Sequence, residues 1–255
     1  MYIHPKYMTV LLTCIFPKLV ITAYNYYCQA HLCRPNSKHI GCGNTGEFGP
    51  NCPSERKLVP MTVGLKAYLL EKHNRARCDI ANGKIRGYKS ANGMPEMGWD
   101  DELAKLAEYN AKTCIYGHDE CVSTATHRYA GQNIAIVMST LNYFESKRAI
   151  DLLFKAWFDE YRDCDMTYID KYRRSDTGKK IGHFTQIVRA GASRMGCALT
   201  SFANSRKNVY IVCNYSLANI LGRKAYTTGM PCSACNEGCS LTYPGLCNTT
   251  EVIPL

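Results

Sequence analysis

The length and composition of the sequence are those of a globular protein. Its 255 residues, of which 46% are hydrophobic and 20% are charged, suffice for a sizeable core and argue against disorder. The formal net charge is +10, but the basic residues are scattered and lack the interleaved aromatic residues of nucleic-acid-binding faces. Nucleic acid is therefore not an expected partner, whereas contact with an anionic lipid, a glycosaminoglycan or an acidic protein surface fits the charge.

The cysteine content and the N-terminal segment predict a secreted protein. Fifteen cysteines are too many for a reducing compartment unless they bind metal. Residues 1–23 have the pattern of a signal peptide, with Lys6 followed by apolar stretches at Met8–Phe16 and Leu19–Ala23; a short buried helix is the alternative. Removal of this segment would leave fourteen cysteines, an even number that can pair completely, and would lower the net charge to +8 by the loss of two lysines.

Two regions have the composition of segments that only cross-links can order. Residues 24–60 are rich in Cys, Gly, Pro and Asn without helical or strand periodicity, which predicts a disulfide-stapled N-terminal extension. Residues 229–255 are similar and lack apolar residues for a core of their own. Their four cysteines are Cys232, Cys235, Cys239 and Cys247. We predict a small Cys-rich tail held by disulfides, with a zinc knuckle as the alternative.

Between these regions, residues 61–228 begin with two helical patterns. The first helix starts at Thr62 and carries a stripe at helical spacing. Its members are Leu65, Tyr68, Leu69 and His73. The second helix is predicted to start at Trp99, with Asp100 as its cap, and to run to Cys114. A histidine on an apolar stripe is more often a packed, hydrogen-bonded residue than a ligand, and we interpret His73 in this way.

A third helix and two strands complete the predicted elements. The helix carries one apolar stripe, made of Ile150, Leu153, Phe154, Trp157, Phe158 and Tyr161. Glu160 lies at the edge of that stripe, beside Trp157, so it can face the interior. Strands are predicted at His183–Val188 and at Val209–Cys213, the latter after a polar turn at Asn204–Asn208. Helices around a short sheet indicate an α/β protein with a three-layer α/β/α sandwich.

Two motifs and several longer stretches resemble the CAP superfamily. Gly182–Val188, with the sequence GHFTQIV, is similar to the GHYTQ signature of that superfamily, and Val212–Tyr215 is similar to its second signature. Residues 26–54, His118–Cys121 and Ala130–Ala135 resemble the antigen-5 branch, which occurs in insect venom and saliva. The resemblance covers nearly the whole chain after residue 23 and implies the CAP sandwich fold.

The resemblance also implies a set of disulfide bonds. The implied pairs are Cys28 with Cys42, Cys33 with Cys121, Cys52 with Cys114, and Cys197 with Cys213. Cys78 and Cys164 lie outside this pattern, as do the cysteines of the tail. A bridge between Cys78 and Cys164 is predicted only because the number of cysteines after residue 23 is even.

The superfamily has a central cavity of two histidines and two acidic residues. The matching positions here are His118, His183 and Glu160, whereas Gln132 stands where the second acid is expected. Glutamine cannot carry charge or take a proton, and loss of this acid removes the simplest acid/base pair. His118 and His183 are good ligands for Zn²⁺, with Glu160 as an orienting partner; a hydrogen-bonded structural cluster and a catalytic site are the alternatives.

We interpret the protein as a binding protein and not an enzyme. The resemblance implies a salivary or venom protein that binds a small hydrophobic ligand or a host protein and interferes with haemostasis or inflammation. The apolar stripes at 65, 68 and 69 and at 150–158 are candidate walls of a ligand channel, although they can equally pack the core. A metal-dependent hydrolase and a receptor-binding structural or signalling module are the alternatives.

Two sequence details bear on these hypotheses. The chain contains no Arg-Gly-Asp tripeptide, the motif of integrin-blocking relatives, so platelet inhibition by that route has no support. Glycosylation sequons occur at Asn214 and Asn248, and we expect only Asn248, in the tail, to be used because Asn214 lies in a predicted core strand.

Overall fold

A five-stranded sheet forms the middle layer of the structure, a computed structural model that describes residues 26–251. The signal peptide predicted at residues 1–23 lies outside the described residues. The strands are β1 (Arg56–Val59), β2 (Gly98–Trp99), β3 (Gly131–Ser139), β4 (Arg194–Ala203) and β5 (Lys207–Tyr215). The order β1-β4-β5-β3 is antiparallel throughout, and β2 pairs with β4 in parallel.

Helices cover both faces of this sheet. They are α1 (Val63–Ala81), α2 (Asp101–Ala111), α3 (Ser146–Phe158), α4 (Met166–Asp170) and α5 (Gly182–Ile187), with a 3₁₀ helix (Asp159–Asp163) directly after α3. One core lies between the sheet and α2, and a larger core lies between the sheet and α1, α3 and α5. The expected three-layer α/β/α sandwich is therefore confirmed.

Alternation along β5 connects these two cores. Val209, Ile211 and Cys213 face the larger core, whereas Tyr210 and Val212 face α2. Since successive side chains of a strand point to opposite faces, a strand covered on both sides has apolar residues at every position. The prediction of a strand over Val209–Cys213 is confirmed within β5, while β1, β2, β3 and β4 were not predicted.

Side-chain caps begin the first two helices, and the cap predicted at Asp100 is confirmed. The Thr62 hydroxyl accepts a hydrogen bond from the Leu65 amide (3.2 Å), and the Asp100 carboxylate accepts one from the Leu103 amide (2.8 Å). The boundaries of the second helix differ from the prediction, because Trp99 belongs to β2 and α2 ends at Ala111. Cys114 lies beyond the helix and has a positive φ of 55°.

The strand predicted at His183–Val188 is wrong, because this segment forms helix α5. Phe184, Ile187 and Val188 are all fully buried, and their spacing of three and four residues is that of one helix face. The predicted third helix also differs, since it ends as an α-helix at Phe158 and continues as the 3₁₀ turn that contains Glu160.

The structure contains the four disulfide bonds that the resemblance implied and two more in the tail. The tail pairs are Cys232 with Cys239 and Cys235 with Cys247. The alternative of a zinc knuckle in the tail is therefore wrong, because all four tail cysteines form disulfide bonds. The leftover bridge between Cys78 and Cys164 is wrong, because both thiols are free. Cys78 faces the Pro244 carbonyl of the tail (3.0 Å), whereas Cys164 is buried near Tyr88, where burial raises the pKa of its thiol to about 11.

The tail packs onto the main core. Leu246 and Cys247 are fully buried, and the Cys247 amide donates to the Met94 carbonyl (2.9 Å). The buried Glu251 carboxylate accepts from the Glu237 amide (2.7 Å) and from Asn236 (2.9 Å).

Over residues 26–251, no helix is long and apolar enough to cross a membrane.

Candidate functional site

His183 stands in the first turn of α5 and is held by the 3₁₀ turn after α3. Its Nδ1 lies 2.6 Å from Glu160 Oε1, while Glu160 Oε2 accepts from the amides of His183 (2.9 Å) and Phe184 (3.2 Å). The Trp157 ring stacks on the imidazole at 5.9 Å between centroids. Because a carboxylate can only accept, the neutral imidazole carries its proton on Nδ1 and leaves the Nε2 lone pair free.

His118 is held in the same tautomer by a different partner. Gln132 Nε2 donates to Asp119 Oδ2 (2.7 Å) and to Asn214 Oδ1 (3.0 Å), and these two acceptors determine which way the amide points. Gln132 Oε1 therefore accepts from His118 Nδ1 (3.0 Å) and from the Asp119 amide (3.1 Å). His118 also presents Nε2, so Gln132 orients the ring of His118 as Glu160 orients that of His183.

Asp119 is a member of this cluster that the sequence analysis missed. Its second oxygen accepts from Asn110 Nδ2 (2.8 Å), a residue of α2 that also binds the Tyr210 hydroxyl (2.7 Å). Burial raises the pKa of Asp119 to about 6, although the hydrogen bonds from Gln132 and Asn110 act in the opposite direction. The sequence feature that could have indicated Asp119 was its position directly after His118.

His118 and His183 are close enough to interact electrostatically. Desolvation by the surrounding protein lowers the pKa of His118, the hydrogen bond that its Nδ1 donates to Gln132 opposes this, and the charge of His183 adds to the lowering. His183 and Glu160 are largely covered, with 16% and 10% of their side chains exposed, whereas His118 lies at the surface. The structure thus contains two hydrogen-bonded pairs, His118 with Gln132 and His183 with Glu160, whose imidazoles influence each other electrostatically.

Two imidazoles with free Nε2 atoms fit a weak, open metal site. Zn²⁺ accepts nitrogen ligands of this kind, but its catalytic sites usually have three protein ligands. Among the described residues, the one group of three metal-ligand side chains with ligand atoms within 4.8 Å of one another is Cys33, His39 and Cys121. That group cannot hold a metal, because the two cysteines form a disulfide and both His39 nitrogens are hydrogen-bonded, to the Ser123 carbonyl and the Gly41 amide.

Comparison with known proteins agrees with this architecture. The sequence pattern of the CAP cysteine-rich secretory protein family matches residues 70–215. The chain is 40% identical to venom allergen-1 of Aedes aegypti over 236 residues, 92% of either protein. It is also 40% identical to the antigen 5 like allergen Cul n 1 of Culicoides nubeculosus over 190 residues, 71% of this chain and 85% of that one. The chain belongs to the CAP family.

A solved structure of the same fold is that of NaASP2 with Zn²⁺. It is 28% identical to this CAP protein, superposes with a TM-score of 0.60, and covers 77% of this chain and 100% of its own. The resemblance to the antigen-5 branch of the family is shown by the venom and antigen-5 allergens of mosquito and midge.

The hydroxyl within the GHFTQ motif of this CAP protein, that of Thr185, is not placed as a nucleophile. Thr185 is fully buried, its hydroxyl donates to the Ile181 carbonyl (2.9 Å), and it accepts from Asn219 Nδ2 (2.9 Å). A nucleophile needs an adjacent base, and none of these partners can take its proton.

His73 also has no ligand role: it is buried, with Nδ1 at the Leu69 carbonyl (2.8 Å) and Nε2 at the Tyr215 hydroxyl (2.9 Å).

The apolar stripes considered as channel walls pack into the core of the CAP domain. Their buried members are Leu65, Leu69, Ile150, Leu153, Phe154 and Trp157, which belong to one continuous cluster. Helices α1 and α3 are also joined beside this cluster, because the Tyr68 hydroxyl of α1 donates to Asp151 of α3 (2.6 Å). These side chains therefore act as core, and a hydrophobic ligand gains no open wall from them.

A polar cleft of about 350 Å³ lies between His118 and the N-terminal extension. It is lined by Lys38, His39, Ile40, Cys42, Gly43, Asn44, His118, Asp119 and Glu120. Ile115 and Tyr116, three and two residues before His118, are each 50% exposed. The surface beside His118 thus has both apolar and polar parts.

The two glycosylation sequons differ in access. Asn214 is fully buried, donates to the Leu103 carbonyl (3.1 Å) and accepts from Gln132, so its side chain is committed to the cluster. Asn248 is exposed, which is compatible with the expected modification there.

Proposed function

We propose that this CAP protein is a secreted component of saliva or venom that acts by binding a host protein and not by catalysis. The observation that carries the proposal is the state of the cavity side chains. Gln132 and Glu160 are each committed to hydrogen bonds that hold a histidine, and the chemistry left over is two imidazole Nε2 lone pairs. Such atoms can accept a hydrogen bond or hold a metal ion, but they provide no activated nucleophile.

A host protein is better supported than a small hydrophobic ligand. The candidate channel walls are core residues, whereas the surface beside His118 offers two half-exposed apolar side chains, Ile115 and Tyr116, next to a polar cleft. Apolar anchors surrounded by polar groups are typical of protein interfaces. Interference with haemostasis or inflammation would follow from capture of such a target.

We further propose that His118 and His183 hold a divalent metal ion at the same site. Their Nε2 atoms would be the protein ligands, and Gln132 and Glu160 would orient the rings. When bound, the ion would supply a positive charge and open coordination positions.

Two measurements test this proposal: a calorimetric zinc titration tests the metal site, and an assay of zinc-dependent hydrolysis tests the absence of catalysis. The His118→Ala/His183→Ala variant should lose at least tenfold in zinc affinity, since both proposed ligands are removed. The matched control is His31→Ala, an exposed histidine of the extension, which should bind zinc like the parent protein. Equal zinc uptake by the double variant would refute the assignment, and zinc-dependent ester or peptide hydrolysis that disappears in that variant would refute the non-catalytic reading.

Binding of a host protein is tested by capture from plasma. Ile115→Ser/Tyr116→Ser should lose the captured protein, because the apolar anchors beside His118 are removed. The control is Leu241→Ser, which removes a fully exposed apolar side chain from the tail. Capture that is unaffected by the first variant, or reduced equally by the control, would contradict this surface.

A further inference from the structure

A larger pocket of about 610 Å³ lies away from the histidines, where residues 222–227 pass α4 and the turn after α5. Backbone hydrogen bonds fix its walls. The Ala225 amide donates to the Ile169 carbonyl (2.7 Å), the Ala190 amide to the Ala225 carbonyl (2.8 Å), and the Tyr172 amide to the Arg223 carbonyl (2.9 Å). The pocket is therefore built from three chain segments that are bonded to one another.

The lining of this pocket carries an uncompensated positive charge. Its charged residues are Lys171, Arg189, Arg223 and Lys224, with Asp170 as the one acid among the lining residues. In the part of the chain that the structure describes, none of these four cations forms an ion pair. Four positive charges against one negative charge in a concave site attract anions.

Arg189 is the least exposed of these cations and is incompletely bonded. The residue is 6% exposed, and one terminal nitrogen, Nη1, donates to the Lys224 carbonyl. Its Nε is buried without an acceptor among the described residues. Burial and the charge of Arg223 both lower the pKa of Arg189. A buried guanidinium without a carboxylate is costly, and an anion in the pocket would offset this cost.

We propose that this pocket binds a small ligand through a phosphate group, with Arg189 at its base and Arg223 and Lys171 at its rim. A phosphate group carries about −1.5 to −2 charges near pH 7, which suits an excess of three positive charges better than a carboxylate does. Guanidinium groups match its oxygens in a planar fork. The volume falls in the usual range of small-molecule sites, and Asn92 and Asn236 add polar side chains to the lining.

The phosphate could belong to a soluble molecule or to a lipid headgroup. The depth of Arg189 favours the soluble molecule, because a headgroup at a membrane surface would have to leave that surface to reach it. The proposal involves none of the cavity residues, so it stands apart from zinc binding and from host-protein capture.

Calorimetric titration of the mature protein with pyrophosphate, without added metal, tests the site. Arg223→Gln should weaken binding about 2–5-fold, as expected for an exposed charge contact. Arg189→Gln should weaken it about tenfold or more, because a buried charge-assisted hydrogen bond is lost. Asp170→Asn should strengthen binding, since it removes the acid of the lining. The matched control is Arg34→Gln, an exposed arginine of the extension outside the pocket.

Several outcomes would overturn the proposal. These are the absence of pyrophosphate binding, an equal loss in Arg34→Gln, or a change of the same sign in Arg223→Gln and Asp170→Asn. Thermal unfolding shows whether Arg189→Gln folds, and if it does not, the opposite signs of the two exposed variants decide. Competition with vesicles of anionic phospholipid then identifies the source: displacement of pyrophosphate assigns the pocket to a headgroup, and its retention assigns the pocket to a soluble phosphate.

Discussion

Single histidines of this protein differ in function because their two ring nitrogens meet different partners. His73 has both nitrogens bonded inside the core, to the Leu69 carbonyl and the Tyr215 hydroxyl. Among the described residues, the rings of His118 and His183 have a hydrogen-bond partner only at Nδ1, which leaves Nε2 available. The same residue type is thus a core residue in one place and a proposed ligand in two others.

Burial of His73 predicts a pH-dependent loss of stability. Burial lowers its pKa to about 4, whereas in the unfolded chain it titrates near the ordinary value of 6.5. Between these values the unfolded state binds more protons, so acidification favours unfolding. The free energy of unfolding should fall by about 3 kcal/mol from pH 6.5 to pH 4 through this residue alone. Urea unfolding across this range measures the effect.

The comparison for this prediction is His73→Gln, which keeps hydrogen-bonding groups but does not titrate. Its stability should depend less steeply on pH over the same window, whatever its absolute stability. Identical slopes for the two proteins would show that His73 does not supply the effect.

Among the secondary-structure elements, α5 depends on a side chain from outside itself. Its first amides donate to Glu160, and its C-terminal end is bound by Arg77 of α1, which donates to the carbonyls of Ile187 and Arg189 (both 2.9 Å). A six-residue helix has little intrinsic stability, so these contacts maintain it. The position of His183 therefore depends on α1 and on the turn after α3.

Removal of the Glu160 carboxylate should destabilise the fold through α5. Glu160→Ala should cost about 2–4 kcal/mol, because three hydrogen bonds to a charged acceptor are lost and two covered amides are left without partners. Glu160→Gln retains an acceptor oxygen and should cost about 1 kcal/mol. Urea unfolding checks both values. Glu47→Ala, at an exposed site, serves as the control, and equal costs for alanine and glutamine at position 160 would contradict the capping role.

At the scale of the whole molecule, disulfides bind the extension and the tail to a sandwich that has its own core. Cys33 and Cys121 are 88 residues apart and join the extension to the loop that carries His118. Cys232 and Cys239 are 7 residues apart and close a local loop of the tail. A bond that closes a longer loop restricts the unfolded chain more.

Removal of the long-range bond should therefore cost more stability than removal of the local one. Cys33→Ser/Cys121→Ser should lose about 4–5 kcal/mol and Cys232→Ser/Cys239→Ser about 2–3 kcal/mol, on the loop-entropy scale. Denaturant unfolding of the protein produced from residue 24 onward measures both. Thiol titration of the same protein, unreduced and denatured, should find two groups, Cys78 and Cys164. A larger cost for the tail pair would contradict this ranking.

The sequence alone was sufficient for features that depend on local patterns. Asp100 was recognisable as a helix cap because a short acidic side chain before a helical stripe can accept from an amide three residues ahead, as it does from Leu103. The stripe from Ile150 to Trp157 predicted a buried helix face, since its spacing requires no knowledge of the partner surface. The motif at Gly182–Val188, together with the other stretches that resemble the superfamily, indicated the family.

Tertiary structure decided whatever depends on groups distant in the chain. The segment His183–Val188 is apolar enough for strand or helix, and it is a helix because Glu160 and Arg77 bond its two ends. Cys78 and Cys164 stay unpaired because their side chains meet different neighbours, which no count of cysteines can show. Arg189 and Arg223 are separated by a strand hairpin in the sequence and share one pocket only after the sheet has folded. Local patterns determine where a helix can start, whereas the meeting of distant charges requires the folded chain.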